Sequence, residues 1–266
     1  MQRPPLDIEQ LRRDLTTVPE LDFFTGIDVV SSTGSTNADL SARAADPGVD
    51  RVVLLAETQE RGRGRHSRSW VSPPRAQIAM SILVRLPRID PDALGWLPLL
   101  TGVAVVDALR ATAQVPATLK WPNDVLIEGR KVAGILAEVA ASGASPAVVV
   151  GIGVNVGLTE AELPVPHATS LTLAGATVDD RTVLVTALLT AFARRFTSWR
   201  ADGWAVDELA PAYRDYCSTL GARVRAELPG GRARTGIARD IDASGRLLVD
   251  DEPVAAADVT HLRPED

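Results

Sequence analysis

The sequence predicts an α+β fold in two parts, and three observations lead to this prediction. The chain has 266 residues, of which 45% are hydrophobic and 23% charged, an ordinary composition for a globular protein of one or two domains. Helical and strand patterns are mixed up to residue 217, and several strands follow one another across short turns, as in antiparallel hairpins. Beyond residue 217 the pattern changes to short strands separated by Gly/Pro turns. We therefore predict a central mixed or antiparallel sheet with helices over residues 1–217 and a small SH3-like β barrel over residues 218–266.

Five segments have helical patterns. Residues 5–17 carry leucine and isoleucine at helical spacing. The next helix, residues 36–45, is predicted to begin with Thr36 as its N-cap, since Asp39 follows three residues later as in a capping box. Pro91 opens a long apolar helix that ends near residue 113. The remaining helices are predicted over residues 181–201 and 204–216.

Strands are predicted from short apolar or alternating runs bounded by turn residues. In the first part they cover residues 28–31, 51–57, 77–84, 117–120, 124–128, 131–140 and 147–156. In the second part they cover residues 223–228, 234–241, 247–249 and 254–259, with turns at 229–231 and 242–245.

What the sequence lacks narrows the class of protein. Its apolar runs are shorter than the roughly 20 residues that cross a bilayer, and residues 1–10 lack the apolar region of a signal peptide. We expect a cytoplasmic protein without membrane contact. A single cysteine, Cys217, excludes an internal disulfide and a zinc–cysteine cluster. About 25 residues precede the first strand, too few for a helix-turn-helix module, so we expect no DNA partner. The three histidines lack metal-ligand spacing.

Two residue types are rare enough to be informative. Of 28 basic residues only Lys120 and Lys131 are lysine, and the chain has only three asparagines, Asn37, Asn123 and Asn155. We interpret the composition as a coding bias that replaces lysine with arginine wherever either serves. The remaining lysines and asparagines then mark positions where the replacement fails chemically.

Residues 61–75, the arginine loop, contain five arginines and no acidic residue, whereas the whole chain has a net charge of −6. A concentrated positive loop on an acidic protein favours one specific polyanion. Gly62 and Gly64 allow the backbone to approach a phosphate, and Trp70 is able to stack on a base. A solvated basic loop or a nucleic-acid contact fits the loop alone equally well.

Two further runs carry rare residues. In KWPND at residues 120–124, Asn123 and Asp124 either serve a metal or nucleophile or form an ordinary Asn-Asp turn. Lys131 leads into an apolar strand, where a compact cation is suited to a carboxylate or phosphate oxygen. The alternative is a strand-edge lysine that opposes aggregation. The adjacent residue is Arg130, which shows that arginine is accepted at this place in the chain. Because lysine is nevertheless kept at position 131, we favour a functional role for Lys131.

A polar run, Ser35, Thr36 and Asn37, lies where a strand ends and a helix begins, which suits a polar or anionic ligand. Capping explains Thr36 but not Asn37. Gln59, just before the arginine loop, is a weaker candidate for hydrogen bonding to a ligand. The glycines of GIGVN at residues 151–155 are best explained by close packing of a strand beside the ligand.

In order, five motifs resemble those of the bacterial biotin protein ligases: STN at 35–37, QxxGRGRxxRxW at 59–70, KWPND at 120–124, RKVAGIL at 130–136 and GIGVN at 151–155. The resemblance covers roughly residues 28–160. It implies the biotin–lipoate ligase fold, which is like that of class II aminoacyl-tRNA synthetases, with the small barrel as last domain. It also implies the ligase-only type, without an N-terminal DNA-binding domain.

The reaction implied by this resemblance has two steps. Biotin and MgATP form biotinyl-5′-AMP and pyrophosphate, and the adenylate then acylates one lysine on a biotin carboxyl carrier domain. The carrier belongs to an acetyl-CoA or acyl-CoA carboxylase or to pyruvate carboxylase. Some family members dimerise through an edge strand of the central domain, and the sequence leaves a homodimer open.

The resemblance also implies roles for individual residues. The expected catalytic residues are Lys131, Arg63 and Asp124. The expected biotin-binding residues are Ser35, Thr36, Asn37, Gln59, Arg63, Gly64, Arg65 and Lys131. ATP or the adenylate is expected to contact Arg65, Arg68, Trp70, Asn123 and Asn155. No protein metal site is expected, because Mg²⁺ is held mainly through the ATP phosphates.

The sequence departs from the family pattern at two places. Ser67 stands where the loop usually has an inner glycine, and residues 74–77 read PRAQ where x-Gly-x-Asn is usual. We expect the arginine loop to be mobile without ligand, with protease sensitivity at residues 61–68 that falls when biotin and ATP are added.

Two other functions are compatible with parts of the sequence. A lipoate or octanoate ligase has a similar fold, and the acyl pocket cannot be sized from sequence. A nucleic-acid-binding protein would use the arginine loop and the barrel, but a basic patch confined to one loop argues against it.

Overall fold

The structure, a computed structural model, describes residues 3–228, 232–255 and 258–262. The helices in this part of the chain are α1 (Ile8–Thr17), α2 (Thr36–Arg43), α3 (Trp96–Ala108), α4 (Arg181–Ala201) and α5 (Leu209–Tyr216). The strands of the first sheet are β1 (Gly26–Val30), β2 (Val52–Ala56), β3 (Gln77–Arg85), β4 (Ala117–Lys120), β5 (Asp124–Ile127), β6 (Arg130–Ala141) and β7 (Ala147–Asn155). Those of the second are β8 (Arg223–Glu227), β9 (Ala233–Ile241), β10 (Leu247–Val249), β11 (Glu252–Val254) and β12 (Asp258–His261).

The first sheet has the strand order β1-β2-β3-β7-β6-β5-β4. Strands β1 and β2 are parallel, whereas the other neighbours are antiparallel. The second sheet has the order β11-β10-β9-β8-β12, with antiparallel neighbours throughout. The prediction of an α+β fold with a central mixed sheet and a small second sheet is confirmed.

The two faces of the central sheet differ because side chains alternate along each strand. On β7, Val150, Ile152 and Val154 belong to the main apolar core that α3 and α4 cover. The intervening positions hold Gly151 and Gly153 on the opposite face. On that face α2 covers a smaller apolar cluster at one end, and the rest is left open. The sequence of β7 therefore combines a packed face with a concave one.

The long helix predicted from Pro91 to residue 113 is divided. Pro91–Gly95 form a 3-10 turn, α3 follows, and Leu109–Ala113 form a π-helical turn. The first turn lies against the turn between β9 and β10, since a Cβ atom on Gly95 would overlap the carbonyl oxygen of Ser244. Within the described residues, Pro91–Ala113 is the one helical segment long and apolar enough to cross a membrane, and 67% of its apolar window is buried in the fold.

The predicted helix over residues 204–216 is wrong in its first half, because α5 begins only at Leu209. Trp204 has a positive φ of 71°, and its ring lies 5.0 Å from that of Trp199, centroid to centroid. Its indole N–H donates to the carbonyl of Pro87 at 3.2 Å. Tertiary packing of this side chain outweighs the local helical pattern.

The second sheet also differs from its prediction in one strand. The single strand expected over residues 254–259 corresponds to β11 and β12, which lie on opposite edges of the sheet. Between them, residues 256–257 are outside the described part of the chain, as is the turn predicted at 229–231. Two indole N–H groups bind the turn between β9 and β10: Trp96 of α3 donates to Ala243 O at 2.8 Å, and Trp121, just after β4, donates to Gly245 O at 3.0 Å.

Candidate active site

A cavity of about 880 Å³ lies on the open face of the central sheet and reaches the second sheet. All the site residues expected from the sequence line it: Ser35, Thr36, Asn37, Gln59, Arg63, Gly64, Arg65, Arg68, Trp70, Asn123, Asp124, Lys131 and Asn155. Lys120 lines it too. Both lysines and all three asparagines of the chain therefore face one space, which we call the ligand cavity.

One end of the ligand cavity is a buried polar cluster at the start of α2. The N-cap is Ser35, whose hydroxyl accepts from the N–H of Ala38, so the prediction of Thr36 as N-cap is wrong. Thr36 is instead the first helical residue, and both its N–H and its hydroxyl donate to Gln59 Oε1, at 2.9 and 3.1 Å. Thr36 is free to make this contact because Ser35 already serves the helix end.

Asn37 is held from three sides. The hydroxyl of Ser81 lies 2.6 Å from its Oδ1 atom, and its Nδ2 group donates to Leu136 O at 3.1 Å and to Glu138 Oε2 at 2.7 Å. A Cβ atom on Gly151 would overlap the Asn37 amide. The amide is thus fixed in orientation before any ligand arrives, which is how a site achieves selectivity through hydrogen bonds.

No sequence pattern indicates a role for Ser81 or Glu138. They are brought to this face because β3, β7 and β6 pair in a register that aligns Ser81 with Gly151 and Gly151 with Leu136. Arg63 extends from the arginine loop to the same Glu138 carboxylate, with Nη2 at 3.2 Å from Oε2. Glu138 therefore joins the loop to the polar cluster.

The arginine loop is folded back on itself over the ligand cavity. The N–H of Trp70 donates to Gly62 O at 2.9 Å, and that of Gly64 to Arg68 O at 2.7 Å. Gly62 has no room for a side chain, since a Cβ atom there would overlap the carbonyl oxygen of Trp70. Arg65 reaches across to Asn123 Oδ1 at 3.4 Å. The expected mobility of the loop without ligand stays a prediction.

The KWPND run forms the tight turn between β4 and β5, with Lys120 opposite Asp124. Asn123 is held by the backbone of Ile135 on β6. Its side-chain Nδ2 group donates to Ile135 O at 2.9 Å, and its backbone carbonyl accepts from Ile135 N–H at 2.9 Å. Trp121 N–H donates to Thr219 Oγ1 at 3.0 Å. Asn123 and Asp124 therefore form a turn and at the same time line the ligand cavity.

Lys131 and Asp124 form an ion pair inside the ligand cavity, with side chains 25% and 22% exposed. The Lys131 ammonium also lies 5.5 Å from the centroid of the Trp70 ring. A lysine that only guarded a strand edge would point into solvent. The position of Lys131 instead offers one cation, already desolvated in part, to an anionic ligand.

The second sheet supplies part of the cavity wall, which sequence reasoning missed. Glu227, Thr260 and His261 line the cavity from β8 and β12. His261 Nε2 lies 3.0 Å from Thr219 Oγ1. Burial, together with the nearby charge of Lys120, lowers the pKa of His261. No sequence pattern marks these residues, because they reach the site through the docking of one sheet against the other.

At the far end of the ligand cavity Asn155 closes β7. Its Nδ2 group donates to Thr169 O at 3.0 Å, which leaves the Oδ1 atom as an acceptor for a ligand. In the described part of the chain no three His, Cys, Asp or Glu side chains cluster as a metal site.

Comparison with known proteins agrees with this arrangement. The model of the biotin/lipoate A/B protein ligase family matches residues 27–155, and that of the biotin protein ligase C-terminal domain matches residues 219–261. The biotin--[acetyl-CoA-carboxylase] ligase of Mycobacterium tuberculosis is 47% identical over 98% of this chain and 97% of its own length. The bifunctional ligase/repressor BirA of Bacillus subtilis is 34% identical over 84% of this chain and 68% of its own.

A solved structure of Aquifex aeolicus biotin protein ligase in complex with biotin and ATP superposes with a TM-score of 0.71. It is 26% identical, and the match covers 91% of this chain and 100% of that one. The chain described here therefore belongs to the biotin protein ligase family.

Proposed function

We propose that this protein activates biotin with ATP as biotinyl-5′-AMP and transfers the biotinyl group to a lysine of a biotin carboxyl carrier domain. The observation that carries the proposal is the ligand cavity, in which the expected residues of all five motifs meet. The similar proteins are named as biotin ligases, and one is in complex with biotin and ATP. The name of the mycobacterial relative points to acetyl-CoA carboxylase as the source of the carrier.

Biotin binding is assigned to the end of the cavity near α2. The ureido ring of biotin carries one carbonyl acceptor and two N–H donors, and Ser35, Thr36, Asn37 and Gln59 supply matching groups there. Because Asn37 is fixed by Ser81 and Glu138, little conformational entropy is lost when the ligand binds. The acyl chain then runs from this end of the ligand cavity towards Lys131.

In the first step a biotin carboxylate oxygen attacks the α-phosphorus of ATP, and the bond to pyrophosphate breaks. This step brings two anions together, and unit charges about 4 Å apart repel by about 4 kcal/mol at an effective dielectric constant of 20. Lys131 and Arg63 are the cations placed to offset this repulsion. Bound Mg²⁺ would neutralise further phosphate charge. We assign the nucleotide to Arg65, Arg68, Trp70, Asn123 and Asn155.

In the second step the carrier lysine attacks the acyl carbon of the adenylate, AMP leaves, and the new amide nitrogen loses a proton. We assign acceptance of that proton to Asp124. Its carboxylate is paired with Lys131 in the structure, and it becomes available when Lys131 turns to the substrate anions. One ion pair thus serves both steps, first through its cation and then through its anion.

Further parts of the proposal concern the setting of the enzyme. In the described part of the chain, β5 pairs with residues 130–134 of β6 and Asn123 holds Ile135. Residues 136–141 of β6 therefore present an edge without a neighbouring strand on that side, which suits a homodimer. A carrier domain of pyruvate carboxylase would offer the same lysine chemistry as that of acetyl-CoA carboxylase. Dependence on ATP and on such carriers supports a cytoplasmic location. We propose that the catalytic domain covers residues 1–217 and the small C-terminal domain residues 218–266.

Biotin-dependent exchange of labelled pyrophosphate into ATP tests the proposal, since it reports adenylation without any carrier. We expect exchange with biotin and none with lipoate. Exchange with lipoate alone would transfer the assignment to a lipoate ligase, and no exchange with either acid would remove it.

A further inference from the structure

We infer that Gln77 is a positioning residue for the nucleotide: it fixes the indole of Trp70 over the cavity and thereby sets the affinity for ATP. The inference rests on the proposed function, because it assigns the effect to adenylation. Gln77 does not line the ligand cavity, and it acts through Trp70 rather than on a substrate.

Gln77 occupies a fixed position on the site face of the sheet. It is the first residue of β3 and lies directly opposite Asn155 on β7. Only 2% of Gln77 is exposed, so water does not compete for its amide. Its Oε1 atom accepts a hydrogen bond from the indole Nε1 of Trp70. A buried polar contact of this kind specifies one orientation of a ring that would otherwise rotate about its side-chain bonds.

The indole lies against two glycines, Gly134 and Gly153, which face each other across β6 and β7 and which we call the glycine floor. A Cβ atom on Gly153 would lie only 2.6 Å from Trp70 Cε2, and one on Gly134 only 3.1 Å from Cζ3. The floor fixes the height of the ring but not its rotation in the plane. That rotation is set by the hydrogen bond to Gln77.

The orientation of this ring matters because of its neighbours. The Lys131 ammonium lies 5.5 Å from the ring centroid, and both residues face the ligand cavity. A purine that stacks on Trp70 is therefore aligned with respect to the cation that neutralises its phosphate. If the ring rotates or tilts, stacking and charge neutralisation are no longer satisfied together.

The support behind Gln77 is rigid. The guanidinium of Arg181 donates to Gln77 O at 3.3 Å and pairs with Glu57 at 2.7 Å, and the Arg181 and Glu57 side chains are only 6% and 10% exposed. The carbonyl of Glu57 in turn accepts from Arg75 N–H at 2.9 Å, so the end of the arginine loop is tied to the same buried pair. Gln77 thus links the Trp70 indole to the buried base of the arginine loop.

The side-chain length of Gln77 also has a physical consequence. Asparagine is one methylene shorter than glutamine. From the same backbone position its oxygen stops short of hydrogen-bonding distance to the indole nitrogen. In this chain the contact therefore depends on glutamine, and Gln77→Asn is a conservative variant that separates reach from polarity.

The first test is kinetic and uses pyrophosphate exchange. Gln77→Leu removes the acceptor at similar volume, and Gln77→Asn shortens it. We expect each to raise the KM for ATP about 5- to 10-fold, the effect of one lost hydrogen bond, while kcat and the KM for biotin change less than about 2-fold. In a Trp70→Phe background, which lacks the indole N–H, Gln77→Leu is expected to add nothing. An unchanged KM for ATP, or an equal rise in that background, would overturn the inference.

The second test needs no activity. Acrylamide quenches the fluorescence of exposed tryptophans. The other four tryptophans, at 96, 121, 199 and 204, are at most 9% exposed, so the quenching that disappears in the Trp70→Phe variant is assigned to Trp70. We expect this component to increase in Gln77→Leu and Gln77→Asn. Equal quenching in wild type and both variants contradicts the inference, even where a variant is less stable. Absence of biotin-dependent exchange in the wild type would instead refute the proposed function. The quenching comparison would then still test whether Gln77 fixes the Trp70 indole.

Discussion

Replacing Lys131 by methionine removes one cation from the ligand cavity while keeping an unbranched chain of similar length. In the structure Lys131 is paired with Asp124 and lies over the Trp70 ring. The methionine variant therefore leaves Asp124 without its partner and leaves the biotin carboxylate and the α-phosphate with less positive charge between them. We expect a defect in adenylation above all.

The size of the defect follows from the charges. A cation about 4 Å from each anion contributes about 4 kcal/mol per contact at an effective dielectric constant of 20. Because a quarter of the Lys131 side chain is exposed and Asp124 already offsets part of its charge, we take about 2–3 kcal/mol as the effective loss. At about 1.4 kcal/mol per factor of ten, exchange should fall about 30- to 150-fold.

The assay compares pyrophosphate exchange with transfer from preformed biotinyl-5′-AMP to a carrier domain. Lys131→Met should depress exchange far more than transfer, because only the first step joins two anions. The matched control is Arg130→Met, which removes the neighbouring cation. Arg130 donates to Ala168 O at 3.0 Å and pairs with Glu160. Neither charged side chain lines the ligand cavity, so the loss of Arg130 should change exchange less than about 2-fold. Wild-type exchange in Lys131→Met would refute the reasoning.

Three further predictions concern other parts of the site. Asp124→Asn should slow transfer from preformed biotinyl-5′-AMP about 100-fold, the usual contribution of a general base, and equal defects in both steps would argue for a purely structural carboxylate. Gly151→Ala should raise the KM for biotin about 10-fold with the KM for ATP unchanged, because the new Cβ atom displaces the Asn37 amide; a change confined to ATP would contradict that geometry. The pKa of His261 is lowered in the folded state. As pH falls through the ordinary value of 6.5, the unfolded chain therefore binds a proton at His261 more readily than the folded chain does, and stability falls. The free energy of unfolding, measured by urea titration, should thus decline more between about pH 7.5 and about pH 5.5 in wild type than in His261→Asn; parallel declines would exclude an effect of His261 on stability.

Most of the site could be predicted because its chemistry depends on rare residues. In a chain that otherwise uses arginine, Lys120 and Lys131 stand out, and the structure places both at the ligand cavity. The three asparagines follow the same rule. The residues that hold the Asn37 amide could not be predicted, since Ser81 and Glu138 reach Asn37 only through the strand register. A serine or glutamate in an apolar strand has no sequence signature of its own.

The fold was predictable where local patterns and tertiary packing agree. α4 has the predicted boundaries, with Asp180 as its N-cap. The helix predicted from residue 204 failed because the Trp204 indole packs against Trp199 and bonds Pro87, a contact with no local pattern. The N-cap shifted from Thr36 to Ser35 for a similar reason: Gln59 engages Thr36, and this pairing is set by the neighbouring segment.

The central claim is that the ligand cavity carries out both half-reactions on biotin. It is tested most directly by the intact mass of a biotin carboxyl carrier domain after incubation with the protein, ATP, Mg²⁺ and biotin. The account predicts a gain of one biotinyl group on a single lysine, lost when ATP is omitted and strongly reduced with Lys131→Met. A carrier that stays unmodified with biotin, or that gains a lipoyl group from lipoate instead, would contradict it.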